Sequence, residues 1–307
     1  MKVEVATVVL NFNNPEDSIA CLESLERQSD LLVQCVLVDN GSTDDSVTKI
    51  SGIFPNVEII EIAENLGYAE GNNVGIRYVL EKGYKYIFVL NNDTIVSPDC
   101  LGLLLAGIKK SNNVAAVAPI SYYFNKPDVI YFAGGKITRE GFTKHIGVGK
   151  KDIEITDQSS DTEWISGCAI LFDSDALINT GLFETKYYLL FEDADWSLRA
   201  RKLGFRLRLI PKAKIWHKVS SSFGGTWSIS YIYYYTRNNL LWIERNFNLK
   251  RRPYLYFHAV KRSLKFIKPK SEMDRNKLEL IQMKTVIHGI VDYIFRRFGK
   301  RNINMER

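Results

Sequence analysis

The chain has 307 residues, of which 46% are hydrophobic and 25% charged, a balance that is typical of a globular protein with a full core. No apolar run approaches the roughly 18 residues that a membrane-spanning helix needs, and the first residues do not have the pattern of a signal peptide. Four cysteines without CxxC spacing and only four histidines argue against a disulfide framework and a multi-histidine metal centre. We therefore expect a cytoplasmic protein.

Positive charge is concentrated at the C-terminal end of the chain. Residues 250–307 contain 16 Lys and Arg against 5 Asp and Glu, while the whole chain has a formal net charge of only +6. The remainder is therefore acidic. We expect a basic helical extension at 249–307 that is distinct from the body at 1–248, and the acidic body argues against nucleic acid as a partner.

Strand and helix patterns alternate through the first 119 residues. Apolar strands are predicted at Val5–Asn13, Val33–Asn40, Val57–Ile62, 86–90 and Val114–Pro119. Helices are predicted between them, starting near Asn14, Thr43, Tyr68 and Ser97. Short links between these elements imply an α/β fold with a mostly parallel, Rossmann-like central sheet that is flanked by helices.

Residues 120–248 have a less regular pattern. We expect hairpins as far as residue 160, a strand at Thr162–Phe172, a helix that begins near Asp193 and a strand that ends at His217. The turn-rich segment 220–226 is expected to be either a lid over a bound ligand or an ordinary surface loop. Helical patterns then follow at 229–247, 254–267 and 275–298.

Polar side chains gather at the carboxyl ends of the predicted strands. The first strand ends at Asn11 and Asn13, the second at Asp39, and the fourth stops abruptly at the motif NND, 91–93. Ligands of open α/β sheets bind beyond these ends, so we expect a common binding edge there. No GxGxxG follows the first strand and no GK[ST] loop is present, which argues against a dinucleotide-dependent oxidoreductase and a P-loop protein.

The order of the motifs resembles that of the family 2 glycosyltransferases with the GT-A fold. In chain order the motifs are VVLNFNN, VDNGSTD, NLGYAEGNNVG, LNND, WISGCAILF, LFEDADWSLRARKLGFRL, WH and YYYTRNNLL. The resemblance runs from Val5 to Arg245 and is closest to the rhamnosyltransferase-like branch, which builds surface polysaccharides. It implies a catalytic domain at 1–248 with a nucleotide-binding half, 1–119, and an acceptor and catalytic half, 120–248.

The resemblance also implies a divalent cation, Mg²⁺ or Mn²⁺, that neutralises a departing diphosphate. Such cations take several oxygen ligands from the substrate, so one or two protein ligands suffice. Asp93 matches the last acid of the family's Asp-x-Asp motif, of which this chain keeps only that acid, and His217 matches a histidine that completes the coordination. A turn cap and a structural histidine are the respective alternatives.

The predicted nucleotide-binding residues come from the motifs of the first half. Asp39 resembles the acid that accepts a hydrogen bond from N3–H of uracil or thymine, and an Asx-turn with Gly41 is its alternative. The glycines of the NLGYAEGNN motif are expected to let the backbone approach the ribose and phosphates. The other predicted members are Asn11, Asn13, Asn65, Gly67, Gly71, Asn72 and Asn92.

The motif FEDADW, 191–196, contains the predicted catalytic acids. Acids at a helix start are also explained by the helix macrodipole alone. By resemblance, Asp193 is the general base that takes the proton of the acceptor hydroxyl as it attacks the anomeric carbon, and this single displacement inverts the configuration. Glu192 and Asp195 are expected to orient the base or to bind the acceptor.

Five further residues are expected, by resemblance, to contact the donor or the acceptor: Trp164, Ser166, Gly167, Trp196 and Arg237. A place in the core is the alternative for Trp164, and a packing role is the alternative for Arg237. The expected donor is dTDP-rhamnose, or a UDP-sugar, and the expected acceptor is a glycan or a lipid-linked sugar. A non-catalytic subunit that binds nucleotide-sugars or serves in assembly is the alternative function.

The basic extension has two interpretations. At helical spacing it has an apolar stripe with cations alongside: Tyr254, Phe257, Val260, Leu264 and Ile267. This arrangement suits peripheral contact with an anionic membrane surface, where a lipid-linked acceptor would be found. A helix that packs on the catalytic domain is the alternative.

Overall fold

The structure is a computed structural model that describes residues 4–28, 33–110, 112–152, 158–218, 228–267 and 275–301. The strands within this part of the chain are β1 (Val5–Asn11), β2 (Val33–Asp39), β3 (Glu58–Glu61), β4 (Tyr86–Asn91), β5 (Thr94–Val96), β6 (Val114–Tyr123), β7 (Lys126–Phe132), β8 (Gly135–Ile137), β9 (Thr143–His145), β10 (Ser160–Asp161), β11 (Ala169–Asp173) and β12 (Arg206–His217). The helices are α1 (Pro15–Glu26), α2 (Ser46–Ile53), α3 (Gly67–Glu81), α4 (Cys100–Lys109), α5 (Ser174–Thr180), α6 (Glu192–Lys202), α7 (Ile229–Asn246), α8 (Arg252–Leu264) and α9 (Arg275–Ile294).

Ten of these strands form one sheet in the order β10-β12-β6-β11-β4-β1-β2-β3, with β5 paired to β12 and β7 to β6. The strands β3, β2, β1 and β4 lie side by side and are parallel to one another. β11 is antiparallel to both β4 and β6, and it joins this parallel half to β6 and β12, which are again parallel. The predicted α/β class with a mostly parallel central sheet and C-terminal helices is confirmed.

The central strands are buried on both faces, as their continuous apolar pattern predicts. Ala6 and Val8 of β1 pack with one hydrophobic cluster that includes Ile76 of α3. The alternate residues Val5 and Val9 pack with a second cluster, to which α1, α2 and α4 contribute. Because successive side chains of a strand point to opposite faces, β1 contributes to both clusters and the sheet is covered by helices on each side.

The basic extension packs on the rest of the protein through α7. The Tyr233 hydroxyl donates to Asp292 of α9 at 2.6 Å, and the Tyr293 hydroxyl donates to Glu244 of α7 at 2.7 Å. α8 buries Leu255, Ala259 and Ser263. Within the described ranges, none of the helices combines the length and the apolarity that crossing a membrane requires.

The predicted starts of α4 and β11 differ from the structure. α4 begins at Cys100 rather than at Ser97, because the Ser97 hydroxyl donates to Asp99 at 2.8 Å in a turn that precedes the helix. The strand predicted at Thr162–Phe172 is formed only from Ala169, and residues 164–168 are a loop. The segment 220–226, for which a lid was one interpretation, lies outside the described residues.

Candidate active site

A cavity of about 530 Å³ lies where β4, β6 and β12 end. Residues that are far apart in the chain meet there, because the carboxyl ends of these parallel strands share one edge of the sheet. Seven of the predicted site residues line the cavity: Asp93, Trp164, Ser166, Gly167, Glu192, Asp193 and His217. The predicted metal ligands and the predicted general base therefore face the same space.

Asp93 and His217 form a close pair on one wall of the cavity. β12 is paired with β5 so that His217 lies opposite Thr94, and this register brings the imidazole next to the turn that follows β4. The His217 Nε2 atom is 3.0 Å from Asp93 Oδ1, and both side chains are buried. A carboxylate oxygen and an imidazole nitrogen this close together are a donor set that fits Mn²⁺ or Mg²⁺.

The pair is too small to hold a cation alone. In the part of the chain that the structure describes, no group of three or more His, Cys, Asp and Glu side chains is arranged to hold a metal ion. Further ligands would have to be oxygen atoms of a bound substrate or of water. This is the usual arrangement for cations that bridge a protein and a diphosphate.

Glu192 and Asp193 begin α6 and line the cavity together with residues 189–191, which precede the helix. Asp193 Oδ2 accepts a hydrogen bond of 2.8 Å from the backbone N–H of Gly167, and Oδ1 accepts one of 2.7 Å from the N–H of Ala194. Burial raises the pKa of Asp193, and these hydrogen bonds oppose part of that rise. The carboxylate is thus held in a fixed orientation in an environment that increases its basicity.

Glu192 has a different protonation state from its neighbour. Burial raises its pKa well above the ordinary value, and the adjacent charge of Asp193 raises it further. Because two neighbouring buried carboxylates do not both ionise readily, we assign the proton of the pair to Glu192 and the negative charge to Asp193. The ionised member is the one that can accept a proton.

Asp195, the third acid of the motif, does not line the cavity. Its fully buried carboxylate accepts hydrogen bonds from Arg199 at 2.8 Å, from Arg245 at 3.1 Å and from Asn246 at 2.8 Å. Burial acts to raise its pKa, but the charges of Arg199 and Arg245 outweigh burial and the pKa is lowered. Asp195 therefore fastens α6 to α7, a role that fits orientation of the base and not contact with an acceptor.

Comparison with known proteins identifies the family. Residues 7–179 match the family described as glycosyl transferase family 2. The chain belongs to this family. Over 198 residues it is 28% identical to the poly-beta-1,6-N-acetyl-D-glucosamine synthase of Staphylococcus aureus (strain COL), a match that covers 63% of this chain and 45% of that protein. The chain thus spans about half the length of the curated relatives it matches.

Solved structures show the same fold. A structure of GalNAc-T7 with UDP, GalNAc and Mn²⁺ has a TM-score of 0.66 at 13% identity, over 95% of this chain and 57% of that chain. The mannosyltransferase PcManGT from Pyrobaculum calidifontis, in complex with GDP-Man and Mn²⁺, has a TM-score of 0.57 at 14% identity, over 96% of this chain and 88% of that chain. The predictions of family 2 and of the GT-A fold are confirmed.

The predicted nucleotide-binding residues of this family 2 chain lie together at the ends of β1 and β2. Asn11 Nδ2 donates to Asp39 Oδ1 at 2.8 Å, and Ser42 donates to Asp39 through both its N–H and its hydroxyl. The Ser18 hydroxyl donates to Asn11 and accepts from Asn92, so a chain of hydrogen bonds runs from Asp39 to the residue beside Asp93. Asp39 accepts from the N–H of Ser42, three residues on, whereas an Asx-turn with Gly41 would use the N–H two residues on. The contact of Asp39 with a pyrimidine stays a prediction.

Two glycines of the same region are required by packing. Gly67 has a φ of +81°, and a Cβ there would lie 2.4 Å from the ring of Tyr188. A Cβ on Gly71 would lie 2.7 Å from Leu10 Cδ1. The sequence predicts that the backbone approaches the nucleotide at these positions. In the structure, the backbone there lies close to the protein's own side chains. Asn65 Oδ1 accepts from Gly67 N–H at 2.8 Å at the start of α3.

The remaining members of the nucleotide set have local partners. The Asn13 side-chain oxygen accepts from the N–H of Thr43 at 2.9 Å. Asn72 is fully buried, and its amide donates to the carbonyl of Tyr68 at 2.9 Å. The first contact joins the loops that follow β1 and β2, and the second lies within α3. The nucleotide-binding role of both residues stays a prediction.

Two residues predicted to contact the donor or the acceptor lie away from the cavity. Trp196 is fully buried, its Nε1 donates to the carbonyl of Gly181 at 2.8 Å, and its ring packs on Phe172. Arg237 is also fully buried, and its guanidinium donates to the carbonyl oxygens of Lys186 and Tyr187 at 3.2 and 3.1 Å. Both residues make packing contacts in this structure, and their predicted contacts with the donor or the acceptor stay untested.

Asn238, which follows Arg237, connects the TRNN motif to the loop that precedes Glu192. Asn238 Nδ2 donates to the carbonyl oxygens of Tyr187, Leu189 and Leu190 at 2.8, 2.7 and 3.2 Å. The backbone of this loop is in the left-handed region at Tyr188, Leu190 and Phe191, with φ of 64°, 67° and 76°. Such conformations are costly for residues with side chains, so the bonds from Asn238 hold a strained turn that leads directly into Glu192.

Sequence reasoning missed the aromatic lining of the cavity. Tyr68, whose hydroxyl donates to the Gly167 carbonyl at 2.6 Å, follows Gly67 in a motif that had been assigned to the nucleotide. Tyr231 and Tyr235 are four residues apart on α7, and this spacing was the available signal that both face one side of the helix. The other aromatic lining residues are Tyr123, Tyr131, His145 and Phe191.

Proposed function

We propose that this protein is a metal-dependent inverting glycosyltransferase that moves a sugar from a nucleoside-diphosphate donor to a hydroxyl of a glycan or a lipid-linked acceptor in surface polysaccharide synthesis. The observation that carries the proposal is the shared cavity of the Asp93–His217 pair and the Glu192–Asp193 pair. A donor bound between the two pairs would present its diphosphate to one and its anomeric carbon to the other.

Asp93 and His217 are the residues that would hold Mg²⁺ or Mn²⁺ in this mechanism. When bound, the cation would neutralise the negative charge that develops on the departing diphosphate. Support comes from the donor set at 3.0 Å and from the Mn²⁺ named in the two solved structures of the same fold. Asp39, Asn11 and their hydrogen-bonded neighbours are proposed to bind the nucleoside.

Asp193 is the proposed general base. It would accept the proton of the acceptor hydroxyl while that oxygen attacks the anomeric carbon from the face opposite the diphosphate. The Gly167 and Ala194 N–H groups fix the carboxylate, and burial makes it more basic than an exposed aspartate. Glu192, which holds its own proton, would donate a hydrogen bond to the acceptor or to the donor sugar.

We propose two kinds of donor sugar, in order of preference. Rhamnose on dTDP comes first from the resemblance to the rhamnosyltransferase-like branch. A UDP-linked N-acetylhexosamine or hexose comes second, and the name of the matched Staphylococcus aureus synthase supports the N-acetylglucosamine form. We retain the proposed domain division, with the catalytic domain at 1–248 in the halves 1–119 and 120–248, and the basic extension at 249–307.

A cytoplasmic location with peripheral contact to the inner face of the membrane is proposed for this enzyme. The predicted stripe on α8 is largely exposed, because the helix packs through Leu255, Ala259 and Ser263 instead. Phe257 and Leu264 are 64% and 50% exposed. Apolar side chains beside cations on an open helix face are the features that bind anionic lipid surfaces.

A panel of nucleotide-sugars with and without Mn²⁺ tests the proposed function. Thermal stabilisation should occur with one nucleotide and should increase with Mn²⁺, because ligands that bind only the folded state raise its stability. The same donor should then support transfer to a glycan acceptor. Tight donor binding with no transfer and no donor hydrolysis over a broad acceptor panel would favour the non-catalytic alternative.

A further inference from the structure

A second cavity, of about 550 Å³, lies between α8 and the turn that joins β8 to β9. Four basic side chains line this cavity. They lie three or four positions apart along α8 and its C-terminal cap: His258, Lys261, Arg262 and Lys265. This spacing places their side chains on a single face of the helix. The turn contributes Glu140, the one carboxylate that lines the cavity among the described residues.

Among the described residues, this basic cleft has more positive than negative side chains. Lys261 and Lys265 are exposed and form no ion pair with any described residue. Arg262 lies with its guanidinium carbon 4.6 Å from the ring centroid of Phe142, so its contact is with an aromatic face. Three permanent positive charges therefore share one concave surface with a single carboxylate. Such an arrangement favours a multiply charged anion.

The basic cleft shares an aromatic wall with the active-site cavity. Phe266, which lines the cleft, makes edge contacts with the rings of Tyr235 and Tyr231 at 5.1 and 5.8 Å. Both tyrosines line the active-site cavity. The Arg262 guanidinium lies 6.0 Å from the Tyr235 ring. One layer of side chains thus separates the cations from the space that Asp193 faces.

We propose that the basic cleft binds a phosphate or diphosphate group of the acceptor while the acceptor hydroxyl enters the active-site cavity. The proposal rests on the proposed function and gives it a substrate class, namely an acceptor that is itself a phosphate ester. The diphosphate of the donor is assigned to Asp93 and His217, so the cleft is not needed for it. A lipid diphosphate and a phosphate within a soluble glycan would present the same chemistry to these cations.

The test compares two double variants of the full chain that lose the same charge. Lys261→Gln/Lys265→Gln removes two exposed cations from the cleft, neither of which forms an ion pair with a described residue. The control, Lys110→Gln/Lys284→Gln, removes two exposed lysines that line neither cavity. Binding of inorganic pyrophosphate is measured by calorimetry in EDTA, so that no cation recruits the probe to Asp93.

The cleft variant is expected to bind pyrophosphate at least about tenfold more weakly than the control and the parent, because the loss of even one hydrogen bond to a charged group costs about that much. Equal affinity in the two double variants would overturn the proposal. Thermal stabilisation by the nucleotide donor with Mn²⁺ should be the same in all three proteins. A loss of donor stabilisation confined to the cleft variant would also overturn it, because the cleft would then serve the donor.

One further probe, farnesyl diphosphate, distinguishes the two sources of the phosphate. A lipid source predicts that farnesyl diphosphate binds the parent at least about tenfold more tightly than pyrophosphate, since the exposed Phe257 and Leu264 would receive its chain. A soluble source predicts equal affinity for the two. Absence of donor binding in the parent would contradict the proposed function, whereas the pyrophosphate titration reports on the cleft alone.

Discussion

The carboxylate of Asp193 accepts a hydrogen bond of 2.8 Å from the backbone N–H of Gly167. This bond ties the first turn of α6 to the loop that precedes β11. It directs one carboxylate oxygen to the loop while the residue still lines the active-site cavity. The predictions below follow from this pairing and from the groups around it.

Replacement of the proposed base should abolish transfer without unfolding the protein. Asp193→Asn keeps an oxygen that can accept from Gly167 but cannot take a proton, so we expect transfer to fall by about 10²–10⁴-fold. Donor binding, measured by thermal shift, should change little. Transfer by the variant at the parent's rate would remove Asp193 from the mechanism.

The acid limb of the pH–rate profile should report the environment of Asp193. Burial raises its pKa above the ordinary value of 3.8, and only the ionised carboxylate accepts a proton. We therefore expect that, as the pH is lowered, kcat/KM begins to fall while the pH is still above 3.8. Circular dichroism at each pH defines the range in which the fold is intact. An acid limb at or below pH 3.8 within that range would contradict the assignment.

Glu192 should make the free energy of unfolding depend on pH. Its folded-state pKa is raised well above 4.5, so the folded state keeps a proton that the unfolded state releases, and stability falls as the pH rises above 4.5. Glu192→Gln has no such proton. The variant should gain stability relative to the parent from pH 4.5 towards neutrality, as measured by urea unfolding. Glu81→Gln, at an exposed position, is the control. If the difference in the free energy of unfolding between the parent and Glu192→Gln does not change with pH, the pKa of Glu192 is not raised.

Asp93 should be necessary for the Mn²⁺-dependent part of donor binding. Asp93→Ala removes the carboxylate of the proposed metal pair, so the extra thermal stabilisation that Mn²⁺ gives to the bound donor should disappear. Asp175→Ala, an exposed position of α5, serves as the control. An unchanged Mn²⁺ titration of Asp93→Ala would refute the metal site.

The two adjacent asparagines of the TRNN motif offer a matched comparison. Asn238 donates to the carbonyls of Tyr187, Leu189 and Leu190, whereas the equally buried side chain of Asn239 has no hydrogen-bond partner among the described residues. Asn238→Ala should therefore lower the free energy of unfolding by about 2–3 kcal/mol more than Asn239→Ala.

The comparison of Asn238 with Asn239 also has a kinetic readout. Loosening of the turn that precedes Glu192 should lower kcat more than it raises the donor KM, because the turn positions the base and not the proposed nucleoside site. Equal effects of the two alanine variants on stability and on kcat would show that the turn does not depend on Asn238.

The elements that depend on local pattern could be predicted from the sequence. The continuous apolar run of β4 and the start of α1 next to Asn14 are of this kind, and so is the polar end of β4, where Asp93 lies. The meeting of Asp93 with Asp193 followed from the resemblance and from the general placement of ligands at strand ends. The structure brings both residues to one cavity.

The parts that could not be predicted depend on partners that are distant in the chain. The sequence of β11 indicates a strand but not its antiparallel position between β4 and β6. Arg237 appears suited to bind a phosphate until its carbonyl partners at Lys186 and Tyr187 are known. The loop 164–168 is apolar enough to be predicted as a strand, because its residues face a cavity rather than solvent.

The insertion of β11 has a consequence for biosynthesis. Both β4 and β6 are translated before residue 169, yet β4 lacks its neighbour β11 until then, and β6 lacks both β11 and the later strand β12. Open edges of apolar strands are templates for association between chains. We therefore expect truncated products that end between residues 124 and 168 to aggregate, and the growing polypeptide to need chaperone protection during that interval of synthesis.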